Sequence, residues 1–452
     1  MQRSSIPVPV VCALSLLLLL PAPAARARPG EITADSVKEQ FLHAWRGYRQ
    51  YAWGHDALNP ISREPHDWYA SPLLMTPVDA YDVLVIMGLK DEAADAKRLI
   101  LDSLSFDKDI EVQSFEVTIR LLGGLLSSYQ LDGDSAFLRL ADDLGRRLLP
   151  VFDSRTGMPY RYVNLRSGRI RDSINNPAEI GTAILEFGTL SKLTGKAQYY
   201  EKPKKALAEL FNRRSRLGLV GTWINVDSGE WVDTISHIGG AIDSYDEYLL
   251  KAWKLFGDED CRAMWEESLK GIEQYLADTS HGGLWYGQAG IRSGRRTSTD
   301  FGALEGFFPA VLVLAGDTAR AADLERSCFR MWNLFGIEPE EIDYSSMQVV
   351  DARYYLRPEI IESAYYLYRS TGDPAYRAMG QTFYRSIVDY CRVDAGFAYL
   401  KDVRTKEKAD RMESFFLAET MKYLYLLFAP PEALPFDRVI FTTEAHPIRR
   451  TW

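Results

Sequence analysis

The 452-residue chain contains no Asn-x-Ser/Thr triplet; Asn59, Asn164, Asn225 and Asn333 all fail the pattern. A chain of this length from a glycosylating secretory pathway commonly carries such an acceptor, so its absence favours a bacterial periplasmic or secreted origin. Cysteine is scarce. Cys12 lies in the apolar leader, and Cys261, Cys328 and Cys391 allow one disulfide at most, with the pairing open. No His/Cys spacing resembles a zinc site, and His55, His66, His237 and His281 belong to no motif. A basic excess is also missing: 53 Lys and Arg face 62 Asp and Glu, for a net charge of −9, which argues against a nucleic-acid partner. Beyond the first twenty residues no apolar run is long enough to cross a bilayer.

Those first residues have the build of a secretory leader. Arg3 supplies the positive start and Val8 to Leu20 the apolar core, with Ala22-Pro23-Ala24 or Ala25-Arg26-Ala27 as a small-residue cleavage site. The expectation is a cleaved signal over residues 1–27 and one domain over 28–452. It places the protein outside the cytoplasm without stable membrane insertion, secreted or periplasmic, with the lumen of the endoplasmic reticulum as the alternative.

What the chain does have is a repeated grammar. A helical stretch ends in glycine, usually followed by aspartate, at Gly133, Gly195, Gly257, Gly316 and Gly372, with an earlier relative at Gly88. The glycine suits a left-handed stop and the aspartate caps the next helix. The repeat length suits a helical hairpin with a long return. Within LRPEIIESAYYLYRSTGD, Pro358 suits the first helical position, and in TPVDAYDVLVIMGL Thr76 is the expected cap before Pro77. Gly- and aromatic-rich returns such as 218–240 and 282–300 read as short β-hairpins. The fold class is therefore all-α, six or seven helical hairpins closed into an (α/α) barrel with short β-hairpins in the connecting loops.

Counting back from the glycines, Glu116, Glu179, Asp243 and Glu359 each open a helix, so their carboxylates gather at one mouth of the ring. Acids at helix N-termini also complement the macrodipole without further purpose. Repetition at four helix starts, with Arg120 and Arg357 beside them, points to chemistry instead. Paired carboxylates can serve as acid and base across a glycosidic bond, and crowding separates their pKa values. Oxygen-rich surroundings suit a hard cation such as Ca²⁺.

Seven stretches then carry a resemblance, in order over nearly the whole chain: TPVDAYDVLVIMGL, FEVTIRLLGGLLSSYQLDGD, DSYDEYLLKAWKLFGD, GFFPAVLVLAGD, LRPEIIESAYYLYRSTGD, MESFFLAETMKYLYLLF and FTTEAHP. The chain resembles glycoside hydrolase family 47, the class I α-1,2-mannosidases and their relatives in glycoprotein quality control. The resemblance implies an (α/α)7 barrel and a Ca²⁺-dependent exo-α-1,2-mannosidase that removes terminal α-1,2-linked mannose with inversion from mannose-containing oligosaccharides, oligomannose glycans or mannobiose; a monomer is expected. It makes Glu116 the general acid, Glu359 the base and Asp243 the third catalytic carboxylate, with the division between the last two left open. Thr443 matches the calcium ligand, through hydroxyl and carbonyl oxygens. Glu179, Glu340, Glu362, Glu413 and Glu444 match acids that hold waters or sugar, with Arg120 and Arg357 among them. His446 is read as packing or capping the tail.

Three positions depart from the glycan-trimming members. Gly306 stands where they carry a disulfide cysteine, although Cys328 sits near the place of its partner. Ala303 replaces a histidine, and Ala241 replaces an arginine that reads the glycan branch in some members. All three shift the likeness toward the quality-control branch and bacterial relatives. A mannose-glycan-binding protein with weak or no hydrolysis is the alternative reading.

Overall fold

A computed structural model describes residues 32–450, so the expected leader lies outside the described residues. The helices separate into two kinds by how they are buried. Ser135–Leu148, Gln198–Phe211, Glu259–Tyr275 and Thr318–Trp332 each bury a single stripe, as helices facing a core on one side do. The stretches that precede them are buried on nearly every residue: Val117 to Ser128, Ile184 to Leu190, Ser244 to Ala252, Phe308 to Leu312. A helix that is apolar all round needs neighbours all round, so these form an inner ring and the amphipathic ones an outer ring.

Seven inner stretches can be followed, over 75–86, 114–132, 177–194, 243–256, 304–315, 359–371 and 414–428. Six lead directly into an outer helix. The seventh closes the ring by packing against Ala34–Tyr51, the first helix of the described chain. The architecture is an (α/α)7 barrel. The inner-to-outer turns are short because Gly-Asp makes them so. Gly372, at φ +70°, stops Glu359–Thr371, and Asp373 accepts the Ala375 N–H to begin Pro374–Cys391. Asp134, Asp258 and Asp317 cap their helices in the same way.

The outer-to-inner returns are long and carry the strands. All the sheets are small and antiparallel, such as Glu111–Gln113 beside Tyr162–Asn164, with Gln113 opposite Tyr162. Because every such return enters an inner helix at its N-terminus, the hairpins rim one end of the barrel, the end where the acids lie.

The C-terminal hairpin enters among the inner helices. Val439–Phe441 pairs with Pro447–Arg449, Phe441 opposite Pro447. At its open end the Arg449 N–H donates to Gln130, near the C-terminus of an inner helix, while its turn reaches Arg120, a helix length nearer the mouth. Phe441 packs on Tyr365, Tyr366 and Tyr423 along the way.

Three local expectations are corrected. Thr76 does not cap: its hydroxyl donates to the Asp56 carbonyl at 2.7 Å, and Met75–Asp79 begins after Leu74. Pro358 precedes the helix Glu359–Thr371 instead of occupying its first position, its carbonyl accepting from Ile361 and Glu362. The helix that Glu179 opens is broken after Gly181 and resumes at Ile184. Cys261, Cys328 and Cys391 are all buried free thiols.

Candidate active site

Six of the seven inner helical stretches and the C-terminal turn meet in a cavity of about 290 Å³ at the hairpin-rimmed end. Glu116, Asp243, Glu359 and Thr443 all face it, from positions 116, 243, 359 and 443 of the chain. Each of the four is half-buried, in segments that are otherwise mostly buried. In the turn 442–446 the contrast is complete: Thr442, Glu444, Ala445 and His446 are buried and Thr443 alone is open to the cavity.

The segments that deliver these residues have strained entries. Leu74, Ala241, Leu356 and Ala445 adopt left-handed backbone, at φ of 58°, 75°, 61° and 58° respectively. Ala241 lies two residues before Asp243, Leu356 three before Glu359 and Ala445 two after Thr443. For residues with a Cβ this conformation costs about 1–2 kcal/mol each, and such strain persists where surrounding structure enforces it. Two inner stretches also widen into π-helical turns, Val117–Leu122 and Phe416–Thr420, carrying Arg120 and Glu419 to the cavity wall.

Eight carboxyl groups line the cavity against two arginines. Several have fixed partners. Glu179 receives Arg161 at 3.0 and 2.8 Å, Gln113 at 2.9 Å and Asn176 at 3.0 Å. Arg120 donates to Glu116 at 2.9 Å and pairs closely with Glu444, with Asp79 at 3.6 Å. Its guanidinium lies 5.0 Å from the Trp68 ring. Burial opposes that charge, but Glu444, Glu116 and Asp79 outweigh it and hold the group above its ordinary range. Glu247 pairs with the buried Lys251.

The rest lack a full counter-charge. Burial pushes Asp243 up to about 7, opposed by the Ser244 N–H it accepts at 2.6 Å and assisted by Glu247. Burial likewise raises Glu359 to about 8 against the pull of Arg357. Its Oε2 has no hydrogen-bond partner. Glu362, which accepts from the Tyr423 hydroxyl at 3.0 Å, is raised by burial to about 8, and Glu419 is raised strongly for the same reason. Carboxyl groups separated in this way can divide acid and base roles.

This surplus of acid, with a buried carboxylate oxygen of Glu359 left without a partner and Thr443 open to the same cavity, fits a divalent cation. Among the described residues no group of three or more His, Cys, Asp or Glu is arranged to grip a metal directly. The fit is therefore to an ion held by Thr443 and water, with carboxylates one layer out.

Of the residues expected from sequence, Glu116, Arg120, Glu179, Asp243, Arg357, Glu359, Glu362, Thr443 and Glu444 converge here. Glu340 and Glu413 stand outside the lining. Glu340 accepts from Arg357 and so holds it, while Glu413 accepts from Trp68 Nε1 at 2.9 Å and pairs with Arg411 at 2.7 Å. Glu247 and Glu419 face the cavity and were not anticipated. Glu247 lay within the quoted DSYDEY motif, four residues after Asp243, where an α-helix returns to the same face.

A closed ring of helical hairpins with paired, unequal carboxyl groups at its mouth is the build of a carbohydrate-processing (α/α)-barrel hydrolase. Comparison with known proteins narrows the class. The profile of glycosyl hydrolase family 47 matches residues 40–450, and the chain belongs to that family. It is 39% identical over 446 residues to human mannosyl-oligosaccharide 1,2-alpha-mannosidase IB, covering 92% of this chain and 69% of that protein. To human ER degradation-enhancing alpha-mannosidase-like protein 2 it is 38% identical over 449 residues, covering 92% and 77%. Among solved structures, the alpha-1,2-mannosidase from Trichoderma reesei superimposes with a TM-score of 0.86 at 28% identity, covering 92% of this chain and 98% of that one. The protein is thus a glycoside hydrolase of the mannosidase type.

Proposed function

We propose that the protein is a calcium-dependent exo-α-1,2-mannosidase that releases terminal mannose from oligomannose glycans or mannobiose with inversion. The observation that carries the reading is the meeting of Glu116, Asp243, Glu359 and Thr443 on one cavity, in a chain whose relatives include mannosyl-oligosaccharide 1,2-alpha-mannosidases.

In this reading Glu116, oriented by Arg120, delivers the proton to the leaving oxygen, directly or through a water. Glu359, which lines the cavity, takes the proton of the attacking water, and Asp243 is the third carboxylate, the division of roles between the two being open. Inversion requires acid and base on opposite faces of the sugar with room for that water between them. Glu179, Glu362 and Glu444 receive sugar hydroxyls or waters, and the Phe115, Leu304, Phe307 and Phe415 side chains exclude bulk solvent. A Ca²⁺ ion held at the Thr443 oxygens would supply a fixed positive charge for binding sugar hydroxyls. Its field would also draw the surrounding carboxyl groups down from their raised values, which is the direction a base needs. The leader-like start of the sequence supports a secreted or periplasmic site of action, and no helix of the described residues is long and apolar enough to cross a membrane.

An NMR time course on α-1,2-mannobiose tests the reading. The expected first product is β-mannose, with turnover lost in EDTA and restored by calcium chloride. α-Mannose appearing first would remove inversion, full activity in EDTA would remove calcium, and binding without release would leave a lectin.

A further inference from the structure

Below the cavity floor lies a set of buried polar groups with no access to substrate, and all of them converge on the turn that carries Thr443. On one side the Thr443 N–H donates to the Tyr248 hydroxyl at 3.0 Å, which donates in turn to Glu186 Oε1 at 2.6 Å. Tyr248 and Glu186 are fully buried, on different inner helices. On the other side His446 lies between two buried aspartates, Nδ1 at 2.8 Å from Asp82 and Nε2 at 3.2 Å from Asp79. Lys422 stands 2.9 Å from Asp82 and donates to the Ala445 carbonyl at 2.7 Å. The turn is also closed on itself, since His446 N–H donates to the Thr442 hydroxyl at 3.1 Å and Thr442 N–H to the His446 carbonyl at 3.0 Å. The two sides meet over Gly123, where an added Cβ would lie 2.8 Å from the His446 ring and 3.6 Å from Glu186.

Burying this many polar and charged groups is unfavourable unless they are paired. A hairpin turn needs no such apparatus merely to reverse direction. The arrangement fixes one residue in space, the only one of the five left open. We propose that Tyr248 and Glu186, opposed by the Asp79–His446–Asp82 group, are positioning residues that set the Thr443 oxygens for a hard divalent cation. This rests on the proposed function in so far as that reading puts the cation at Thr443. Tyr248 is the informative member because it touches Thr443 through a single hydrogen bond to the backbone, and removing its hydroxyl leaves the ring packing in place.

The experiment is isothermal titration of calcium chloride into the EDTA-treated, dialysed full chain, paired with thermal melts at zero and saturating calcium. Loss of an outer partner of a metal site typically weakens affinity 10–100-fold, so Tyr248→Phe is expected to raise the calcium Kd at least about tenfold and to shrink the calcium-induced rise in Tm. Glu186→Gln should move Kd in the same direction. A merely structural hydrogen bond would lower Tm equally with and without calcium and leave Kd alone. Kd within twofold of the unsubstituted chain for both variants overturns the inference while leaving the proposed function standing. An unsubstituted chain that binds no calcium overturns both. Glu325→Gln, which alters a buried acid on an outer helix, is the control expected to leave Kd unchanged.

Discussion

Glu325 offers the cleanest electrostatic experiment in the molecule. It sits on the helix Thr318–Trp332, fully buried, with neither carboxyl oxygen hydrogen-bonded. Burial is the cause of its shift, and it pushes the group well above its ordinary value of 4.5. The sign follows from linkage. Below the unfolded value both states hold the proton and nothing is lost. As pH rises past it, the unfolded chain releases the proton while the folded one retains it, so stability falls until the folded value is reached. Each pH unit in that window costs about 1.4 kcal/mol. The penalty is therefore larger at pH 7 than at pH 5. Glu325→Met removes the titrating group and fills similar volume. With an unfolding entropy of about 2.1 cal/mol/K per residue over roughly 420 residues, each kcal/mol of that penalty corresponds to about 1 °C in Tm. Melting both proteins at pH 5 and pH 7 should therefore show a gain from the substitution that is larger at pH 7. A gain that is the same at both pH values would refute the reasoning, because a packing effect alone does not titrate.

Three further outcomes are expected. Glu116→Gln and Glu359→Gln should each lower kcat on α-1,2-mannobiose by about 10²-fold or more while circular dichroism stays unchanged; near-normal kcat in either removes that residue from catalysis. Arg120→Met strands the buried Glu444, while Asp79 keeps its pairing with His446, and should destabilise by about 3–5 kcal/mol, seen as a fall in the urea midpoint. Ala241→Gly relieves left-handed backbone at φ +75° and should change stability by no more than about 1 kcal/mol, toward higher stability; a larger loss would mean that the methyl group contributes packing that outweighs the strain.

The frame of the fold was legible because it rests on local signals. Gly372 and Asp373 announce the end of one helix and the cap of the next in adjacent residues, and the structure has them doing so. The same dipeptide at 133 and 257 sets the register of the inner stretches, so Glu116 and Asp243 could be placed at the mouth by counting. Where a tertiary contact overrides local preference the reading failed. Thr76 looks like a cap in its own sequence, but Asp56 lies close in the fold and its carbonyl takes the hydroxyl. The break after Gly181 has a packing cause as well: the ring of Tyr245 comes within 2.8 Å of where a Cβ at Gly181 would stand, so another inner helix presses directly on that backbone.

Glu419 shows why the site itself was less legible than its frame. In MESFFLAET the acid at 413 opens the motif and invites the cavity position, but helical counting assumes about 3.6 residues per turn. Phe416–Thr420 is a π turn, which is wider, and it swings Glu419 into the cavity while Glu413 stays outside the lining, paired with Trp68 and Arg411. Val117–Leu122 shifts Arg120 by the same device on a separate inner stretch. The carboxylate and the guanidinium that these turns deliver interact across the cavity, Arg120 being among the groups that oppose the rise of Glu419. A π turn is disfavoured in isolation and survives where neighbouring packing enforces it. Its position therefore depends on the closed ring, and a single stretch of sequence carries no local sign of it.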